Sequence, residues 1–154
     1  MKRLALLLVC LAVLAAPGAA QADDADVTAA VTRWSLKIAK PAKQLSTRLS
    51  AASTPQEALG FLRSFTATAT KGAGAIGATR SSSAKGTQVR TLARGAFAQY
   101  AAAGRLLIQA VKDVQAGKGR SIVEPKITKA IKLATAGSAL LSRAAKLIPQ
   151  LVGG

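Results

Sequence analysis

One repeated spacing limits what this chain can become. Leu62, Phe65, Ala69, Gly72 and Ile76 step by three, four, three and four residues, which places all five on one face of an α-helix. The spacing recurs earlier in Val27, Val31, Trp34, Ile38, Leu45 and Leu49, and later in Val89, Leu92, Ala96, Tyr100, Ala103, Leu107, Ala110 and Val114. It returns a last time in Ile127, Ile131, Ala134, Ser138, Leu141, Ala145 and Ile148. Period-two alternation is scarce, and alanine, the strongest helix former, is the commonest residue. Four amphipathic segments with short connections predict an all-α fold, an antiparallel four-helix bundle in up-down-up-down order.

Local signals place the boundaries. The first helix is expected from about Asp24, with Asp23, Asp24 and Asp26 complementing its dipole. Pro41 should kink or break it, because an interior proline loses a hydrogen bond and clashes with the preceding turn. Thr54-Pro55-Gln56-Glu57 opens the second helix: threonine as cap, proline at the first helical position, glutamate closing a capping box. The third helix is expected from about Thr87 to Ala116, followed by a turn over Gly117–Ser121, and the fourth from about Glu124-Pro125.

The first 22 residues read as a leader rather than as part of the bundle. Lys2 and Arg3 precede thirteen apolar residues, Leu4 to Ala16; Pro17-Gly18 follows, and Ala20-Gln21-Ala22 presents small residues where a signal peptidase reads. Cleavage after Ala22 is expected, leaving residues 23–154 as one domain that is secreted or held in the cell envelope or periplasm. The apolar run falls short of the ~20 residues that span a bilayer. Cys10 lacks a lipobox, since Val9 stands where a small residue is required, and it leaves with the leader. The remaining 132 residues then hold no cysteine, and the whole chain holds no histidine.

Charge is the other strong constraint. Setting aside Lys2 and Arg3, 20 of the 22 basic residues remain against six acidic ones, a formal charge of +14. That excess favours polyanions: an anionic envelope polymer, a membrane surface of anionic head groups, or nucleic acid, the last disfavoured by export. No feature selects a protein partner. Arg33, Lys37, Lys40, Gln44 and Arg48 share one polar helix face, and Lys126, Lys129 and Lys132 gather near the start of the last helix.

The stretch Lys71–Arg80, KGAGAIGATR, contains G-x-G-x-x-G, the spacing of a dinucleotide-binding turn. Such a turn follows a strand and needs an acidic residue about 20 positions on for the ribose. Here a helical pattern precedes it, and no Asp or Glu occurs between Glu57 and Asp113, so a dinucleotide site is rejected. Gly72 lies on the apolar stripe and Gly74 off it, which predicts close packing for part of the cluster and a helix softening into a loop through Arg80–Gly86. Lys71, Arg80, Lys85, Arg90 and Arg94 surround these glycines and serines, so a weak local anion site is expected there, from exposed backbone N–H groups beside cations.

Catalysis finds little support. With neither His nor Cys after the leader, the general bases are lysines and six carboxylates. Five of those carboxylates lie at or near expected helix starts, where capping explains them, and Asp113 reads as an ordinary surface charge. No metal site and no cofactor are expected. Trp34, Phe65 and Tyr100 fall in register with aliphatic neighbours and read as core, although a secreted carrier could use a tyrosine such as Tyr100 to ligate haem. The chain is read as an exported, non-catalytic cationic bundle that binds anionic polymers or lipid head groups. The alternatives are a membrane-permeabilising amphipathic protein and a carrier of a small apolar or haem-like ligand.

Overall fold

A computed structural model describes residues 2–152, with side chains from 23 to 151; the side chains of residues 1–22, on which the expected leader falls, lie outside the described residues. The fold is all-helical, without a strand among the described residues: α1 (Lys2–Lys43), α2 (Leu45–Ala51), α3 (Pro55–Ala78), α4 (Ala84–Gln115), α5 (Arg120–Leu147) and the short α6 (Pro149–Val152).

α1 passes through Pro41 and ends at Lys43, so the interruption before α2 comes at Gln44, three residues later than the proline predicts. Pro41 has no N–H to give, but the ladder resumes beyond it, with Gln44 N–H reaching the Lys40 carbonyl at 3.0 Å. The start of α3 follows the sequence closely. Thr54 Oγ1 accepts from Glu57 N–H at 3.2 Å, and Pro55 occupies the first turn. The glutamate's return bond goes one residue further back than in the usual box, to Ser53 N–H at 3.0 Å. Between α4 and α5, Gly117 adopts φ +69°, and the N–H groups of Gly117 and Lys118 reach back to the carbonyls of Val114 and Asp113 at 3.0 and 2.9 Å. That pair of bonds is a Schellman ending, and it requires the left-handed residue that glycine supplies without strain. α5 begins four residues before Glu124 and carries Pro125 inside it.

The central element is α4, which packs against α3 on one side and α5 on the other, while α1 lies on α3 and α4 and meets the C-terminal end through α6. The main core gathers Val27, Val31, Ile38, Phe65, Ile76, Val89 and Phe97, and a smaller one gathers Leu62, Ala103, Leu107 and Ala130. Along α3 and α4 the contacts run in reverse order: Gly104 faces Phe65, Gly72 faces Phe97, and Gly77 faces Arg94. Along α4 and α5 they do the same, from Asp113 beside Lys126, through Tyr100 beside Ser138, to Gly95 beside Leu140.

The glycines divide by contact. A Cβ on Gly72 would stand 2.5 and 2.7 Å from two atoms of the fully buried Phe97 ring and 3.2 Å from Trp34 Cε3, so glycine is what lets α1, α3 and α4 meet there. A Cβ on Gly74 would touch nothing within 4 Å. The segment nevertheless stays helical to Ala78, and the loop is confined to Thr79–Ser83. Packing at Gly72 and Ile76 outweighs the glycines' helix cost of about 1 kcal/mol each.

The stripe that the spacing assigns to the last helix is only partly the buried one: Ala134, Leu141 and Ile148 pack half-buried against the main core. α5 buries Val123, Ala130, Gly137 and Ala144, one residue in seven, and leaves Ile127 and Ile131 exposed at 39% and 61%. Gly137 explains the choice: its Cβ would stand 3.0 Å from the Ala96 carbonyl oxygen, so α5 approaches α4 backbone to backbone along its smallest residues.

Candidate functional site

The serine loop between α3 and α4 is built around an anion, and the anion is the protein's own. α4 opens with Ser83 as cap, its Oγ accepting from Gly86 N–H at 2.9 Å. Asp24, inside α1, brings its carboxylate onto this turn, where Ser81 Oγ donates to Oδ1 at 2.9 Å. Burial opposes ionisation of Asp24, but hydrogen bonds from the Ser83 and Ser81 hydroxyls and from the Ser83 and Ser82 backbone hold its carboxyl below the usual value. Gly86 makes room, since a Cβ there would collide with Asp24 Oδ1. The N–H groups expected to face an external anion therefore face Asp24.

The cations foreseen around that loop are partly drawn together. Arg90 reaches across from α4 to donate to the Thr79 carbonyl at 2.7 Å, and Arg94 lies along Gly77, with its Cδ 3.2 Å from a Cβ placed there. Both side chains thus come to the C-terminal end of α3, next to the exposed Arg80. Lys85 is exposed in the first turn of α4, and Lys71 is exposed two turns before the end of α3. The second group behaves differently. Lys126 is tied to Asp113, which also pairs with Lys118 at 2.7 Å, while Lys129 and Lys132 point into solvent. Asp113 is thus no ordinary surface charge; it is 7% exposed, and hydrogen bonds from Lys118 and Lys126 hold its carboxyl below the usual value.

Only three of the twenty cations from Arg33 to Lys146 make an ion pair among the described residues: Lys118, Lys126 and Arg120, the last with Glu124. Lys37 instead lies over the Trp34 ring, 4.6 Å from its centroid. The described residues hold no group of three His, Cys, Asp or Glu side chains, and none of their helices is long and apolar enough to cross a membrane.

A second feature lies at Tyr100, the residue on which the small-ligand alternative in the sequence rested. Because α1 rests on α3 and α4, the α1–α5 side stays open as a groove of two adjoining cavities, about 460 and 220 Å³, both bordered by Ala42, Tyr100 and Ser138. Tyr100 forms the floor, edge-on to Phe65 and Phe97 with ring centroids 6.2 and 6.3 Å away, and its hydroxyl is 2.9 Å from Ser138 Oγ. Ile131 borders the smaller cavity and also a hollow of about 590 Å³ at the α4–α5 turn, which Val114 and Ile127 share.

Comparison with known families, curated proteins and solved structures finds no match. The functional reading therefore rests on the chemistry of these surfaces.

The sequence left a trace of what was missed. The one-in-seven row of Val123, Ala130, Gly137 and Ala144 is a readable small-residue seam, and a serine cap three residues before Gly86 marks a helix start. Nothing along the chain links Asp24 to a loop 57 residues away.

Proposed function

We propose that the protein is an exported, non-catalytic cationic bundle, cleaved after Ala22, that adheres to anionic polymers or anionic lipid head groups. Its four long helices are taken as an up-down-up-down arrangement, with α1 shifted onto α3 and α4. One observation carries the reading: the α3–α4 hairpin presents Arg63, Lys71, Arg80, Lys85, Arg90, Arg94, Arg105 and Lys112 with no carboxylate between Glu57 and Asp113. Three carboxylates of α1 come near its loop end. Asp24 is occupied by serines rather than by these cations. Asp23 and Asp26 border a cavity of about 440 Å³ with Arg33 and Arg80 without forming an ion pair among the described residues, which leaves the rest of the hairpin uncompensated. An uncompensated surface of this kind attracts polyanions and releases them as salt rises.

The test is binding of polyphosphate, nucleic acid and anionic vesicles across a salt series, with two triple variants. Neutralising Lys71, Arg80 and Lys85 to Gln should weaken binding more than neutralising Lys126, Lys129 and Lys132, because Lys126 is already spent on Asp113. Equal losses would leave only diffuse charge, and salt-insensitive binding would remove the proposal altogether. Mass measurement of the exported protein tests cleavage after Ala22.

A second reading, insertion into a bilayer, draws on the exposed Val114, Ile127 and Ile131 beside the α4–α5 turn. Dye release from anionic vesicles at low protein concentration would favour it; binding without release favours adhesion.

A further inference from the structure

The groove between α1 and α5 is graded along its length. The larger cavity is bordered by Ser35, Lys43 and Ser142, with Lys43 next to the Ala42 that both cavities share, and the smaller one by Leu45, Phe65, Leu107, Ala134 and Thr135. Midway, the hydroxyls of Tyr100 and Ser138 bond each other, which uses one of their two O–H donors. No Asp or Glu lines either cavity among the described residues, and Lys43 makes no ion pair there.

We propose that this groove binds a single-chain anionic amphiphile, a long-chain fatty acid, with its carboxylate at Lys43 and its chain lying over Tyr100 toward Leu107. This goes beyond surface adhesion, because the ligand is a small molecule held by an apolar slot. Charge complementarity places the head group: Lys43, beside the junction of the two cavities, makes no ion pair, and no carboxylate borders either cavity among the described residues. Size narrows the class of occupant. The larger cavity, about 460 Å³, falls within the range of small-ligand sites, about 300–1,000 Å³, and the smaller, about 220 Å³, extends it. Packing accounts for the slot, since α1 covers α3 and α4 while alanines 42 and 134 leave the width of a chain uncovered.

The experiment titrates the purified protein with cis-parinaric acid, a fluorescent fatty acid, and displaces it with palmitate or with the uncharged hexadecanol. Saturable binding of one molecule per chain is expected, with hexadecanol weaker than palmitate by about tenfold. Ala42→Trp, placed where the two cavities meet, should cut binding of both ligands at least about tenfold while helicity is retained. Lys43→Gln should weaken palmitate and leave hexadecanol unchanged, whereas Lys71→Gln, an equal change of charge elsewhere, should alter neither. Equal effects of Lys43→Gln and Lys71→Gln would overturn the head-group site. Unchanged binding in a folded Ala42→Trp protein would overturn the groove itself. A wild-type dimer that Ala42→Trp dissociates would identify a second copy as the occupant instead and also overturn it.

Discussion

α3 and α5 flank the same helix and hold it by different means. α3 offers α4 a row of large side chains, with Leu62, Phe65 and Ile76 all at 2% exposure or less. α5 offers one residue in seven, and apart from Val123 the row is Ala130, Gly137 and Ala144. The first contact removes apolar side-chain area from water; the second brings backbones close and gains dispersion contacts over a long seam. The difference explains why Ile127 and Ile131 stay outside. Once α5 turns its smallest residues toward α4, its bulkier ones fall on the shoulders, and α1 lies elsewhere.

The sharpest way to break this comparison is to remove bulk from each side. Phe65→Ala should cost about 3–5 kcal/mol by urea unfolding, as a fully buried ring leaves a cavity. Leu141→Ala, on the half-buried edge of α5, should cost less than half as much. Equal losses would mean that α5 is held by its large residues after all. Adding bulk tests the other half. Gly137→Ala and Gly72→Ala should each cost about 1–3 kcal/mol, because a backbone oxygen or a buried ring must move. Gly74→Ala should instead stabilise by about 0.5–1 kcal/mol, since its Cβ meets open space.

Acid probes the turn on each side of α4. Asp24 closes the α3–α4 turn and Asp113 the α4–α5 turn, and both carboxyls are held below their ordinary value, which is about 3.9 for an aspartate. The stability they add is complete above that value and is lost as pH falls through the lower folded-state values. Melting temperature should therefore be level from neutral pH to about pH 5 and fall below about pH 4. Asp113→Asn should lower the neutral-pH value and flatten the acid fall, because Lys118 and Lys126 lose their partner. An unchanged acid limb in both Asp24→Asn and Asp113→Asn would sink this account. The smallest effect is expected at the start of α5: Glu124→Gln breaks an ion pair whose side chains are 59% and 88% exposed, and should shift stability by no more than about 0.5 kcal/mol.

How much of this was legible depends on residue size and distance along the chain. The α3 stripe, the Thr54 cap and the turn beginning at Gly117 are local, and each was readable because a few neighbouring residues decide it. The α5 stripe was readable only in part, at Ala134, Leu141 and Ile148, for a physical reason. Hydrophobic spacing weights large residues, whereas the seam follows the small ones at Ala130, Gly137 and Ala144. Of the site residues, the cations could be counted but not sorted. Nothing in the sequence distinguishes Lys126, spent on Asp113, from the exposed Lys129 three residues on.

By itself the sequence determined the helical class, because alanine content and a three-four spacing admit no sheet, and it determined the excess of positive charge. Tertiary structure alone decided where the chain's own carboxylates went. Asp24 sits on a serine loop 57 residues away, and Asp113 sits between two lysines on the far side of a turn. It also left the α1–α5 side open. Lys118 meets Asp113 within the turn itself, but the Asp24 contact and the open side depend on how α1 settles against α3 and α4, and that is set by contacts between residues far apart in the chain, which no local pattern encodes.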